Sequence, residues 1–208
     1  MMEAAKIILS ADELEALKDR SFFKKKQRIT EKIYRQFANV VNEANSLKIF
    51  SGIEFPAGTD LTGGKISKGE NYLGLPYLLL DFPRNFKGDQ LLAIRTMLWW
   101  GNFISSTLFV SGKEATAVQK SVVLHLPELS KMKCLVCVHE SPWHHHFEKD
   151  NYQPLNLFSK KELTQLLKSL NFIKIARKIP VSSISKLESF AMESFKLYGK
   201  VLSDAGAV

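Results

Sequence analysis

Apolar segments whose composition favours β-strands occupy the middle of the chain and constrain the fold more than any other feature. The segment from Leu75 to Phe82 is a continuous apolar run closed by Pro83. Segments 92–100 and 103–110 are rich in Ile, Thr, Phe and Trp, which favours strands over the competing interpretation as a helix. Gly101 and Asn102 between them predict a two-residue type II′ hairpin. Further strands are predicted over 133–140 and 172–181.

Amphipathic helices are predicted on both sides of these strands. Ser10 with Glu13, and Ser159 with Glu162, each form the signature of a capping box. These signatures predict helices over 10–20 and 159–170, and apolar residues at helical spacing predict longer ones over 21–44 and 183–202. A chain of 208 residues that is 45% hydrophobic can bury one sizeable core. We therefore predict a single α+β domain over 1–208, with a central, mostly antiparallel sheet bracketed by N- and C-terminal amphipathic helices.

Residues 51–74 carry six glycines and Pro56, a density of chain-breaking residues that predicts an extended loop. Loops of this length are uncommon in a compact domain and often have a function. We treat this segment as a candidate lid or binding loop.

The charge of the chain is +8 and lies near the two ends. Residues 1–50 hold 10 Lys and Arg against 7 Asp and Glu, and residues 159–208 hold 9 against 4. This asymmetry raises the odds of an anionic partner, a small ligand or a protein. No uncharged apolar run reaches the length of a membrane-spanning helix, so we expect no membrane partner. Cys134 and Cys137 fall on one predicted strand, where a disulfide is disfavoured, and a cytoplasmic location follows.

A first candidate site lies on the central strands and combines cationic side chains with tryptophan. Arg95 shares a strand face with apolar residues, so its charge needs a partner or water, and Asp81 on a neighbouring strand can supply one. Two interpretations are compatible with this pattern: a pocket for an anionic ligand, or a cross-strand ion pair beside core aromatics. The candidate ligand-binding residues are Asp81, Arg84, Arg95, Trp99, Trp100 and Asn102.

A second candidate is the histidine-rich segment 139–148. On a strand, His144 and His146 would point to the same side, with Glu148 continuing it, and His139 precedes them. These four residues are candidate ligands for zinc or another divalent metal, and a metal-assisted enzyme is one alternative function. The other interpretation is a loop with exposed histidines, because the spacing fits neither a metallo-β-lactamase-like nor a cupin-like pattern. Cys134 and Cys137 lack a second ligand pair and are expected to be buried apolar residues.

A third candidate is the basic helix 21–35, whose Lys and Arg residues can contact phosphates. Phe22, Phe23 and Tyr34 can stack on bases, although their spacing equally suits core packing. Non-specific nucleic-acid binding is therefore a second alternative, without any sequence-reading motif.

Several stretches of the chain look like a family of uncharacterised bacterial proteins. The similarity lies in residues 65–77, Asp81 to Arg84, Ala93 to Asn102, and Trp143 to Tyr152. This resemblance covers about half the chain and implies a bacterial, cytoplasmic protein, but no activity.

The motifs of common nucleotide-binding and hydrolytic enzymes are missing: there is no phosphate loop, dinucleotide fingerprint or nucleophile elbow. The sequence favours a non-catalytic ligand- or partner-binding protein, with no cofactor.

Overall fold

A computed structural model describes residues 7–88 and 90–206 of the chain. The chain forms two compact units, and the boundary between them in the sequence lies between Arg35 and Gln36. The first unit contains helix α1 and the start of helix α2, and the second contains all the strands and the remaining helices. The prediction of a single domain stays a prediction.

The α+β class is confirmed. Strands of the described residues form one seven-stranded antiparallel sheet in the order β1-β2-β3-β4-β7-β5-β6. The strands are β1 Lys65–Tyr72, β2 Leu75–Lys87, β3 Gln90–Trp99, β4 Phe103–Ser111, β5 Leu135–Cys137, β6 Tyr152–Pro154 and β7 Phe172–Pro180. The α-helices are α1 Ala11–Lys18, α2 Arg20–Ser46, α3 Ala115–Leu124, α4 Leu126–Lys131, α5 Lys160–Ser169 and α6 Leu187–Ser203. Two 3₁₀ helices, Leu155–Leu157 and Val181–Lys186, precede α5 and α6.

Both predicted capping boxes are present, because Ser10 and Ser159 each exchange hydrogen bonds with the Glu three residues later. Helix α2 begins one residue before its predicted start, since the Asp19 carboxylate accepts from the backbone N–H groups of Ser21 and Phe22. In the second unit, the predicted apolar stripe of α2 is buried at Phe37, Val40, Val41 and Ala44. At Ile29, in the first unit, the side chain is 37% exposed, so the stripe is not buried along its whole length.

The prediction of a loop over all of residues 51–74 is wrong. Residues 65–72 form strand β1, which pairs with β2 from Lys65 opposite Asp81 to Tyr72 opposite Leu75. Gly69 does not break this strand: a Cβ there would lie 2.3 Å from the Tyr77 ring, so the glycine makes room for a side chain on β2.

Strand β2 also differs from its prediction, because it continues past Pro83 to Lys87. The register between β2 and β3 shifts between Asp81 and Arg84, and Pro83 lies in this irregularity, where its missing N–H costs no ladder hydrogen bond. At the other end of β3, Trp99 pairs with Phe103. The hairpin loop therefore has three residues rather than the predicted two.

The sheet has two differently covered faces. Helices α3 and α6 cover one face, which is built from apolar side chains such as Leu80, Ile94 and Ile175. Strand register puts Asp81, Arg95, Thr107 and Lys174 on the other face. The polar groups of the candidate site lie on this second face.

Residues 139–151 have no helix or strand and cover part of the second face; we call them the cover segment. Its Phe147 stacks on Tyr152, with ring centroids 4.5 Å apart, and meets Phe103 edge-on at 4.9 Å. Strand β5 is shorter than the predicted 133–140, because the chain leaves the sheet after Cys137 to form this cover.

Candidate functional site

Three polar side chains hold the cover segment in place: Tyr72 and Lys174 from the sheet, and Asn151 from the end of the segment itself. The Tyr72 hydroxyl accepts hydrogen bonds from the backbone N–H groups of His145 and His146, at 2.6 and 3.0 Å. Lys174 donates to the carbonyl oxygens of Pro142, at 2.7 Å, and of His144. Asn151 donates to the carbonyl of His146. Backbone groups of an irregular segment that would otherwise be unsatisfied thereby gain partners from the sheet.

Beneath the cover segment, Arg95 and Asp81 form a two-pronged ion pair. The Nε and Nη2 atoms of Arg95 lie 2.7 and 2.9 Å from the two carboxylate oxygens of Asp81. The two residues face each other in the register of β2 and β3, and the Asp81 side chain is only 6% exposed. This geometry fixes the guanidinium and leaves its Nη1 directed elsewhere.

The Nη1 atom of Arg95 lies 3.5 Å from Nε2 of His145 on the cover segment. Burial lowers the pKa of His145 to about 3, and the nearby charge of Arg95 adds to the effect. His145 is therefore neutral at pH 7. A guanidinium group can only donate hydrogen bonds, so the Nε2 atom of His145 faces Arg95 as an acceptor.

Lys174 is the second cation on this face, and it is 3% exposed. Burial lowers the pKa of Lys174 to about 8. The Cys137 side chain acts in the opposite direction, and the charge of Arg95 adds to the lowering. The Lys174 ammonium is therefore still mostly charged at pH 7. Among the described residues, its hydrogen bonds go to carbonyl oxygens and no ion pair compensates its charge.

Arg95, His145 and Lys174 line one small cavity between the sheet and the cover segment. Its walls are mostly apolar, and its free space of about 20 Å³ has room for about one water molecule. The lining residues are Phe86, Ala93, Arg95, Thr107, Phe109, Pro142, Trp143, His145 and Lys174. Arg95 and Lys174 are the cationic side chains among these lining residues, and the buried Asp81 carboxylate pairs with Arg95 beside the cavity.

A larger cleft of about 480 Å³ adjoins this cavity. Phe109, Pro142 and Trp143 line both spaces and so form the wall between them. Glu140 lies at the rim of the cleft, and Trp143 is 53% exposed.

The other predicted ligand-binding residues lie away from this cavity. Arg84 pairs with Asp60, with 3.6 Å between Nε and the carboxylate. Trp99 is buried beside Tyr72 and Phe103. Trp100 lies in the hairpin loop, where its carbonyl accepts from the Asn102 side chain. Of the six predicted residues, the structure brings Asp81 and Arg95 together at the cavity and does not add the other four.

The histidines of the cover segment form a row: ring centroids lie 4.3 Å apart for His139 and His144, and 5.5 Å apart for His144 and His146. Burial lowers the pKa of His144, and the neighbouring histidines add to this. Glu148 lies with His146 at a separate cleft of about 460 Å³ that also includes Trp99 and Asn102. Across residues 7–88 and 90–206, no group of three or more His, Cys, Asp and Glu residues is arranged to hold a metal ion. Zinc binding stays a sequence prediction that this geometry does not support.

Sequence reasoning missed Lys174, His145 and Tyr72. Lys174 had a visible signal, because it interrupts the apolar face of strand 172–180 between Phe172 and Ala176. Cys134 and Cys137 are buried free thiols, as expected, and burial raises the pKa of Cys134 to about 12.

Comparison with known proteins adds no assignment. No protein-family model, curated protein or solved structure matches the chain. The described part of the chain also contains no helix with the length and apolar character needed to cross a membrane.

Proposed function

We propose that the protein is a non-catalytic binding protein that holds a small organic carboxylate between the sheet and its cover segment. The observation that carries this proposal is the buried excess of positive charge: Arg95 and Lys174 line one cavity, and only Arg95 has a carboxylate partner. A buried cation without a counter-charge is costly, so an incoming anion gains a strong partner there.

The number of available donors supports an anion as the ligand. An ammonium group has three N–H bonds, and Lys174 uses two of them for the carbonyls of Pro142 and His144. The centroid of the Tyr152 ring lies 5.2 Å from its Nζ, a contact that carries no negative charge. Arg95 turns Nε and Nη2 to Asp81, so the donors of Nη1 are engaged only by the long contact to His145. A carboxylate can accept from both residues at once.

The apolar walls support an organic body on the ligand rather than a bare inorganic anion. Phe86, Phe109 and Trp143 line the cavity, and Phe109 and Trp143 continue into the neighbouring cleft. The ring centroids of Phe109 and Trp143 are 5.9 Å apart. A ligand with its carboxylate at Lys174 and an aromatic or aliphatic body in the cleft fits both chemistries.

Entry of such a ligand requires the wall at residues 142–143 to move, because the cavity alone has room for about one water molecule. Lys174 holds this wall through the Pro142 carbonyl. A carboxylate that takes over this hydrogen bond releases the wall, so binding and opening are coupled through one side chain.

Isothermal titration calorimetry with benzoate and benzamide tests the proposal, since the two molecules share a shape and differ in charge. We expect benzoate to bind about tenfold or more tightly than benzamide. Lys174→Met should lower benzoate affinity by about tenfold or more, whereas Lys161→Met, at an exposed lysine of α5, should leave it unchanged. Equal binding of both probes, or benzoate binding that survives Lys174→Met, would contradict the proposal.

A further inference from the structure

The first unit exposes an unusual amount of apolar surface. Among the described residues, eight of the sixteen large apolar side chains that are exposed fall within residues 7–35. They are Ile7, Ile8, Leu9, Leu14, Leu17, Phe22, Phe23 and Ile29. Phe22 and Phe23 are 50% and 54% exposed, and their rings meet edge-on at 5.6 Å. Exposed aromatic side chains concentrated in one segment indicate an interaction surface.

The same part of helix α2 is strongly basic. Residues 20–35 carry seven Lys and Arg against Glu31 alone, a net charge of +6. Helix α1 and the Asp19 that follows it have the opposite character, with four acids and Lys18. The positive charge of the unit therefore belongs to α2.

Most of the positive charge of segment 20–35 lies on a different side of α2 from its exposed apolar residues. At about 100° per residue, Lys24, Arg28, Lys32 and Arg35 fall within one arc of the helix. Phe22, Phe23 and Ile29 fall in the opposite arc, together with Lys26 and the buried Ile33. The Asp19 cap fixes where the helix begins, so the two phenylalanines project from its first turn.

We propose that residues 20–35 of α2 bind in the plane of an anionic lipid bilayer. Phe22, Phe23 and Ile29 enter the boundary between headgroups and acyl chains, and the Lys and Arg side chains reach the anionic headgroups. Long basic side chains can keep their charge at the headgroups while their stems lie along apolar surface. This proposal departs from the expectation of no membrane partner, which rested on the lack of a membrane-spanning segment. The binding is peripheral, so the lack of a membrane-spanning helix in the described residues does not bear on it.

Other partners use only one side of this helix. A nucleic-acid duplex contacts the basic arc through its phosphates, and because its bases stay stacked inside the duplex, it leaves Phe22 and Phe23 without a role. A single strand that stacks on these two rings lies on the arc opposite to most of the positive charge. A second copy of the chain can cover the phenylalanines but brings another +6 helix to the same contact. An anionic bilayer satisfies both sides at once.

Cosedimentation of the full chain with vesicles tests the proposal. The vesicles are phosphatidylcholine alone, or an equal mixture of phosphatidylcholine and phosphatidylglycerol. We expect about tenfold or more tighter binding to the mixed vesicles, lost at high salt. Phe22→Ser/Phe23→Ser should lower that binding by about tenfold or more, and Lys24→Gln/Arg28→Gln should do the same.

Matched controls separate the helix from general effects. Leu124→Ser/Leu157→Ser replaces side chains that are 60% and 65% exposed elsewhere, and should leave vesicle binding unchanged. Lys174→Met should also leave it unchanged, so the lipid proposal stands or falls separately from the carboxylate site. Circular dichroism checks that each variant is folded.

Three outcomes would overturn the lipid proposal. The first is equal binding of the wild-type protein to both kinds of vesicle. The second is undiminished binding of the folded Phe22→Ser/Phe23→Ser variant. The third is salt-sensitive binding to duplex DNA, insensitive to the phenylalanines, by a protein that ignores vesicles.

Discussion

Lys174 occupies a position that the strand pattern reserves for an apolar side chain. Its neighbours on the same face of β7 are Phe172 and Ala176, both buried. Desolvation favours the neutral amine and lowers its pKa to about 8, while the unfolded chain keeps the ordinary value near 10.5. The folded protein thus binds fewer protons at Lys174 than the unfolded chain does between these two values.

This difference predicts how stability depends on pH. Where the unfolded state binds more protons, stability rises with pH, so the contribution of Lys174 should improve between about pH 8 and 10.5. The unfolding free energy of the wild-type protein minus that of Lys174→Met should increase by about 2 kcal/mol from pH 7 to pH 10. Urea unfolding of both proteins measures it. A constant difference between them would show that the Lys174 pKa is not lowered by folding.

The Arg95–Asp81 ion pair leads to a second prediction about the stability of the fold. Arg95→Met leaves the buried Asp81 carboxylate without its partner and should destabilise the fold by about 2–4 kcal/mol. Asp81→Leu added to Arg95→Met should recover much of this loss, because no unpaired charge remains. Urea unfolding midpoints measure both changes. If the double variant loses as much stability as Arg95→Met and Asp81→Leu do when their separate losses are added, the two residues do not compensate each other's charge.

At the scale of elements, the cover segment depends on side chains from distant strands. Tyr72 from β1 and Lys174 from β7 both hold its backbone, although they lie far apart in sequence. Capping boxes and strand enrichment predicted most helices and strands, since those signals are local. A loop over the histidine-rich segment was one of the two sequence interpretations, but its position over the sheet escaped prediction because its partners are long-range. Strand β1 escaped prediction because Gly69 resembles a loop residue while it serves the packing of Tyr77.

Tyr72→Phe tests how the cover segment is fastened. Removing the hydroxyl leaves the backbone N–H groups of His145 and His146 without their acceptor, and should cost about 1–3 kcal/mol. Amide hydrogen exchange across residues 139–151 should accelerate, as mass spectrometry can measure. Tyr77→Phe, a neighbouring ring in the same aromatic cluster, is the matched control and should leave exchange unchanged. Equal protection in Tyr72→Phe and wild type would mean that the hydroxyl does not hold the segment.

At the scale of the whole molecule, the sheet separates an apolar side under α3 and α6 from a polar side under the cover segment. Local sequence predicted that Arg95 needs a partner and that Asp81 can supply it, and the structure pairs the two residues. Local sequence could not show that β7 lies beside β4, because this pairing joins residues about seventy positions apart. That pairing brings Lys174 to the same cavity as Arg95, so half of the candidate site depends on topology that local patterns do not encode.

Global stability should fall in mild acid through His145. Its pKa is near 6.5 in the unfolded chain and about 3 in the fold, so the unfolded state binds more protons as the pH drops below 6.5. Lowering the pH from 7 to 5 protonates His145 in the unfolded chain but not in the fold, and should therefore reduce the unfolding free energy by about 2 kcal/mol. His145→Gln should reduce the pH dependence by that amount, as measured by urea unfolding at both pH values. An unchanged pH dependence in the variant would assign the acid sensitivity to other groups.

If Lys174 is a buried cation that takes an anion as its partner, its titration should respond to that anion. Nuclear magnetic resonance can follow the Lys174 side chain through a pH titration with and without benzoate. We expect a pKa of about 8 in the free protein and a higher value in the presence of benzoate, because a bound carboxylate favours the charged ammonium. A Lys174 pKa that benzoate does not raise would contradict the proposal.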